Sequence, residues 1–114
     1  MIDVTILFLD EMFSSTAVGP MEVFRHAGSL WNILTGERQT PYFRVTTATA
    51  NGEAVTCDGP IQITPAAAIN DIRKTDLIYI PTTGLSIDDV VERNAPVVPW
   101  LKRWRKRGTG SRPA

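Results

Sequence analysis

The sequence has one cysteine, Cys57, one histidine, His26, and no acidic residue beyond Glu92. A single cysteine excludes an internal disulfide and a cysteine-based metal cluster. With no basic partner and no helix amino-terminus following it, Cys57 reads as a structural thiol rather than a nucleophile. A catalytic histidine needs a nucleophile and an orienting acid, and the residues around His26 supply no such set. No metal-ligand spacing and no cofactor motif is present. Nor is any apolar run long enough to span a bilayer, and Met1 leads straight into a core-strand pattern rather than a basic segment with a cleavable apolar stretch. These absences lead us to expect a cytoplasmic protein with no membrane partner.

Net charge is zero over 114 residues, with 12 basic and 12 acidic side chains, but the distribution is uneven. Lys102, Arg103, Arg105, Lys106, Arg107 and Arg112 crowd the final segment, where acids are missing. This segment could be a nucleic-acid patch or the solvated face of an amphipathic helix. Val97, Trp100, Leu101 and Trp104 fall on one helical stripe, which favours a helix from Pro96 to about Arg107, ended by Gly108, with its charges outward.

The near-continuous apolar run Val4-Thr5-Ile6-Leu7-Phe8-Leu9-Asp10 suits a strand buried on both faces. A helix follows, starting near Ser14 or Ser15 as hydroxyl caps and running past Ala27 towards Leu34. Ala17, Met21, Phe24 and Gly28 lie on one side of it, and Glu22 neighbours Arg25 and His26 as an ordinary surface pair. Phe43 to Thr49 reads as the second strand. Asn51-Gly52 is a tight-turn dipeptide before Ala54 to Cys57 and predicts a hairpin. Asp58-Gly59-Pro60 makes another turn, Ile61 to Thr64 a short strand, and Pro65 starts an alanine-rich helical turn ending near Asn70. Asp76 to Ile80 repeats the buried parallel pattern. It is closed by Pro81 to Gly84, and Ser86 caps a helix over Ile87 to Arg93.

Strand, loop and helix therefore occur twice. In parallel α/β sheets, ligand sites gather beyond the carboxyl ends of the strands, so the loops after the two core strands should share one edge. The candidate ligand-binding residues are Ser15, Thr16, Glu22, Thr82, Thr83 and Gly84, although Thr82 to Gly84 could equally be a plain turn. No residue is assigned a catalytic or metal-binding role.

The order of the first strand, Gly19-Pro20-Met21-Glu22-Val23-Phe24, Phe43-Arg44-Val45, Asp58-Gly59, Asp76-Leu77-Ile78-Tyr79-Ile80-Pro81 and Trp100-Leu101 resembles the amino-terminal half of a PfpI-type, class I glutamine-amidotransferase-like domain. It is most similar to the sensor domain of the GlxA-like branch of AraC-family transcription regulators. The resemblance covers Val4 to about Thr109. It implies a flavodoxin-like three-layer α/β sandwich, with a mainly parallel sheet and a β-hairpin excursion, incomplete in this chain. It also implies an unknown small-molecule ligand, a homodimeric full-length protein, and DNA binding only through carboxy-terminal helix-turn-helix units absent here.

Enzymes of that superfamily carry a cysteine nucleophile on a strand-to-helix turn shortly after the position of Thr109, and an acid four residues before the first helix's proline. Here the chain reaches Ala114 without such a cysteine, and Thr16 stands at the acid position. A threonine does not exchange a proton near neutral pH as a carboxylate does. The expectation is a non-enzymatic, truncated ligand-sensing domain. The alternatives are a fragment of an isonitrile hydratase-like, glyoxalase-like or peptidase-like enzyme, and a free-standing small interaction domain. Residues 1–109 are expected to form the domain. The tail 110–114 is expected to be non-native and exposed, because losing one base from codons for Thr-Arg-Ile-Ala-Ala-Cys yields the observed Thr-Gly-Ser-Arg-Pro-Ala.

Overall fold

The computed structural model describes residues 1–59, 61–83, 92 and 94–108. The expected helix over Ile87 to Arg93, its Ser86 cap, Gly84 and the tail lie outside the described residues, Glu92 excepted.

The first strand, β1 (Ile2–Leu7), is flanked on both edges by parallel partners. Its whole length pairs with β2 (Phe43–Thr49), in register from Ile2 opposite Phe43 to Leu7 opposite Ala48. On its other edge Val4 to Ile6 pair with Leu77 to Tyr79 of β6 (Leu77–Tyr79). A two-residue strand, β5 (Ala67–Ala68), extends the sheet beyond β2, giving the order β5-β2-β1-β6, parallel throughout. Val4, Ile6 and Leu7 are essentially sealed from water, each worth roughly 1.5–3 kcal/mol relative to exposure. Because neighbouring strand residues face opposite ways, this burial requires cover on both sides.

Helix α1 (Ser15–His26) covers one face. Its Phe24 ring meets Phe43 edge-on at 5.0 Å and Tyr79 at 6.5 Å. Helix α3 (Val97–Gly108) lies on the other, beside Leu7, Leu9 and Ile80. The predicted stripe holds: Val97 and Trp100 are buried, Leu101 and Trp104 are packed against the core, and Lys102, Arg103 and Arg105 are exposed. The result is the expected three-layer α/β arrangement with a mainly parallel sheet. At the amino-terminal edge, the carboxylate of buried Asp3 forms ion pairs with Arg44 at 3.4 Å and Lys74 at 3.6 Å. Both partners are well solvated, so these pairs contribute little.

Several local expectations are corrected. The hairpin joins β3 (Val55–Cys57) to β4 (Ile61–Ile63), not β2 to Ala54–Cys57. The reason is that both edges of β2 are already occupied, by β1 and β5. The turn at Asn51-Gly52 carries the chain out of the sheet, and Asp58-Gly59 turns the actual hairpin, with Gly59 at φ 85°. Ala67–Ala68 is strand rather than helix, pairing in parallel with Ala48 and Thr49 on the edge of β2 away from β1; a single 3-10 turn, Ile69–Asp71, follows.

The first helix does not continue to Leu34. It ends at His26, and a separate short helix, α2 (Leu30–Leu34), follows. Ser14 makes no side-chain cap bond. The break lies at Gly28, at φ 75°, where the Thr40 carbonyl oxygen occupies the place a Cβ would take and Thr40 N–H donates to Gly28 O at 2.7 Å.

Gly28 and Gly36 share the same φ of 75°, but nothing lies within 4 Å of a Cβ built at Gly36. Gly36→Ala should therefore cost only the left-handed backbone penalty, roughly 1–2 kcal/mol. Gly28→Ala should cost a further ~1–3 kcal/mol from the collision. Urea unfolding midpoints of the two variants check this, and equal midpoints would refute the role given to the Thr40 carbonyl.

Candidate functional site

Beyond Leu7 the chain leaves the sheet but not the core, for Phe8, Leu9 and Met12 remain buried. Between them, Glu11 takes φ 63°, a left-handed conformation that a side-chain-bearing residue rarely adopts. It is held there from several sides. Glu11 N–H donates to Thr56 O at 2.8 Å and Asp58 N–H to Met12 O at 3.0 Å, which ties the loop to the hairpin. On the opposite side Phe13 N–H donates to Thr82 O at 2.9 Å, and Met12 bridges to Thr83 in antiparallel fashion. Asn94 completes the clamp: its Oδ1 accepts from Asp10 N–H at 3.1 Å and its Nδ2 donates to Asp10 O at 3.3 Å.

The loops after β1 and β6 thus meet at the carboxyl end of the sheet, and Thr16 is where they are fastened. Its hydroxyl donates to Phe13 O at 2.7 Å, with Thr82 O a longer acceptor at 3.4 Å, and it accepts from Thr82 N–H at 3.0 Å. This hydroxyl is engaged as both donor and acceptor within the protein. Thr83 lies beside it and lines an apolar cleft of about 230 Å³ with Leu9, Pro81 and Val97.

Of the sequence-derived set, Thr16, Thr82 and Thr83 are brought together. Ser15 stands exposed at the first position of α1. Glu22 is exposed seven residues further along the same helix, about 10 Å from Ser15 at 1.5 Å per residue. Among the described residues it forms no ion pair with Arg25 or His26, since both described pairs belong to Asp3. Gly84 lies outside the described residues. Asn94 was not found from the sequence: an asparagine ahead of Ala95-Pro96 signals a turn, and nothing local links it to Asp10 84 residues earlier.

Cys57 is buried on β3, behind the loop. Desolvation, with the charge of Asp10 as a second cause, pushes its thiol pKa up. Among the described residues no group of three His, Cys, Asp or Glu side chains is placed to hold a metal ion, and no helix is long and apolar enough to cross a membrane.

No protein-family model and no curated protein sequence matches the chain. Solved structures do. A DJ-1 superfamily protein of Agrobacterium tumefaciens is 21% identical, with 94% of this chain covering 50% of that one at a TM-score of 0.64. A candidate transcriptional regulator of Vibrio parahaemolyticus is 15% identical over 95% of this chain and 53% of its own, at 0.68. An AraC family transcriptional regulator of Pseudomonas putida is 15% identical over 88% and 52%, at 0.56. The chain spans about half the length of these structures, and at such identities the likeness speaks for architecture. The chain has the flavodoxin-like α/β fold of the DJ-1/PfpI superfamily proteins, over about half of their length.

Proposed function

We propose that residues 1–109 are the amino-terminal part of a ligand-sensing domain from a GlxA-like, AraC-family transcription regulator, acting in the cytoplasm. In this reading the full-length protein is a homodimer, DNA is bound by a separate domain, and this chain performs no catalysis. The observation that carries the proposal is Thr16. At the position where the enzymes of the resembling superfamily hold an acid, this chain has a hydroxyl engaged between Phe13 O and Thr82 N–H. A group so engaged is not available to take a proton from a nucleophile. The two regulators among the structural neighbours support the sensing role.

The test is the nucleotide sequence beyond the codon for Thr109. A continuation, in any frame, through an apolar strand to two helix-turn-helix units would support the proposal. A strand-to-helix turn carrying a cysteine nucleophile, with no helix-turn-helix after it, would overturn it in favour of an enzyme.

Two outcomes on the chain itself follow. Thr16→Val keeps the branched shape but removes both hydroxyl bonds, so at the net worth of one hydrogen bond each it should cost about 1–3 kcal/mol, read as a lower urea midpoint. For Cys57 the folded state favours the neutral thiol. Its contribution to stability is complete below the ordinary thiol value of 9.0 and is lost as pH rises through the higher folded value. Stability should therefore fall on the alkaline side of 9.0, and Cys57→Ala should flatten that slope. An unchanged slope would show that the thiol titrates alike in both states.

A further inference from the structure

A cavity of about 270 Å³ lies at the carboxyl ends of β1 and β2, on the hairpin side of the Glu11 loop and away from Thr16. Phe8, Val55 and Val97, all buried core residues, form its apolar walls. Its polar lining is mostly engaged elsewhere: Thr49 Oγ1 donates to Glu53 O at 2.9 Å, and the Asn51 carboxamide accepts from Glu53 N–H at 3.0 Å. Among the described residues Asp10 is the one ionisable residue in the lining.

Among the described residues Asp10 is held through its backbone. Asn94 takes both its N–H and its C=O, while among the described residues its carboxylate enters no hydrogen bond or ion pair. The segments around the cavity add Glu53 and Asp58, and no described lysine or arginine lies on a lining segment. An anionic ligand would meet repulsion here. A neutral polyol would find too few free polar groups and would leave the carboxylate without a counter-charge in a partly desolvated site. At about 30 Å³ per water, the space holds roughly nine waters' volume, enough for a ligand of similar heavy-atom count.

We propose that this cavity is a binding site for a small organic monocation, its ammonium head on the Asp10 carboxylate and a compact apolar body against Phe8, Val55 and Val97. The site is distinct from the Thr16 rim. It stands whether or not the chain serves a transcription regulator, so its failure would leave that reading intact.

The test is a titration of the 114-residue chain with benzylammonium, followed by amide NMR, with benzyl alcohol and benzoate as the neutral and anionic counterparts. Benzylammonium should give saturable shifts at Ala50, Val55 and Val97, with the other two binding at least about tenfold more weakly. Asp10→Asn should weaken the cation by about tenfold and keep the folded spectrum, since the loop is held through the Asp10 backbone. Ala50→Phe, which fills the cavity and leaves the carboxylate in place, should abolish binding as well. The proposal is overturned by equal affinity for the alcohol, by unchanged binding in either variant, by shifts mapping to Thr16 and Thr83 instead, or by no saturable shift.

Discussion

The structure depends on β1 being hydrogen-bonded along both edges and covered on both faces. A strand in that position has no solvent side, so alternation is not enough; every residue from Asp3 to Leu9 is buried. Its few polar members are satisfied in place. Thr5 donates to the Thr75 hydroxyl at 2.9 Å, which donates on to Leu77 O at 3.0 Å, and Asp3 N–H reaches the Asp76 carboxylate at 2.9 Å. These bonds tie the start of β1 to the start of β6. Parallel register then carries the alignment forward, so that the loops leaving β1 and β6 emerge side by side.

That emergence explains how a strained residue persists. A non-glycine residue at φ 63° costs about 1–3 kcal/mol, which a free loop would relieve. Here the segment from Asp10 to Phe13 is bonded to the hairpin, to the β6 loop and to Asn94, so relaxing Glu11 would break several bonds at once. The rigid loop also divides the carboxyl edge. Thr16 and the β6 loop lie to one side, Asp10 and the end of β2 to the other, and Val97 in the first turn of α3 borders the cleft on each side. One backbone kink thus separates a structural staple from an open cavity lined by Asp10.

How much of this was legible in the sequence depended on the range of the interactions. The apolar run of β1 and the Val97-Trp100-Leu101-Trp104 stripe are local signals, and each describes what the structure contains. Partner choice is not local. Asn51-Gly52 is a sound turn, yet the strand it should have folded back onto had no free edge, so the hairpin formed one turn later. The break after His26 was hidden for a related reason: Gly28 sits at the right spacing for the apolar side of a helix, and only the Thr40 carbonyl, brought back from the following loop, shows why glycine is needed there. The meeting of Thr16 with Thr82 followed from topology, but its consequence did not, since the sequence offers a hydroxyl without saying what it bonds.

The neighbours of Thr16 determine what that position can do. Two carbonyl oxygens, Phe13 O at 2.7 Å and Thr82 O at 3.4 Å, and one N–H, from Thr82 at 3.0 Å, surround its hydroxyl. An environment with more acceptors than donors requires a group that can donate. A hydroxyl does so at every physiological pH, because it does not ionise in that range, and it accepts from the amide at the same time. An ionised carboxylate could accept from the amide but would set its charge against the carbonyl oxygens; only its protonated form could donate. The same loop geometry would favour a neutral carboxylic acid, a state poised for proton exchange, wherever an acid replaced the threonine. With threonine in place the two loops are joined by a bond whose character is independent of pH. The position then fixes the geometry with which the two loops meet at the carboxyl edge.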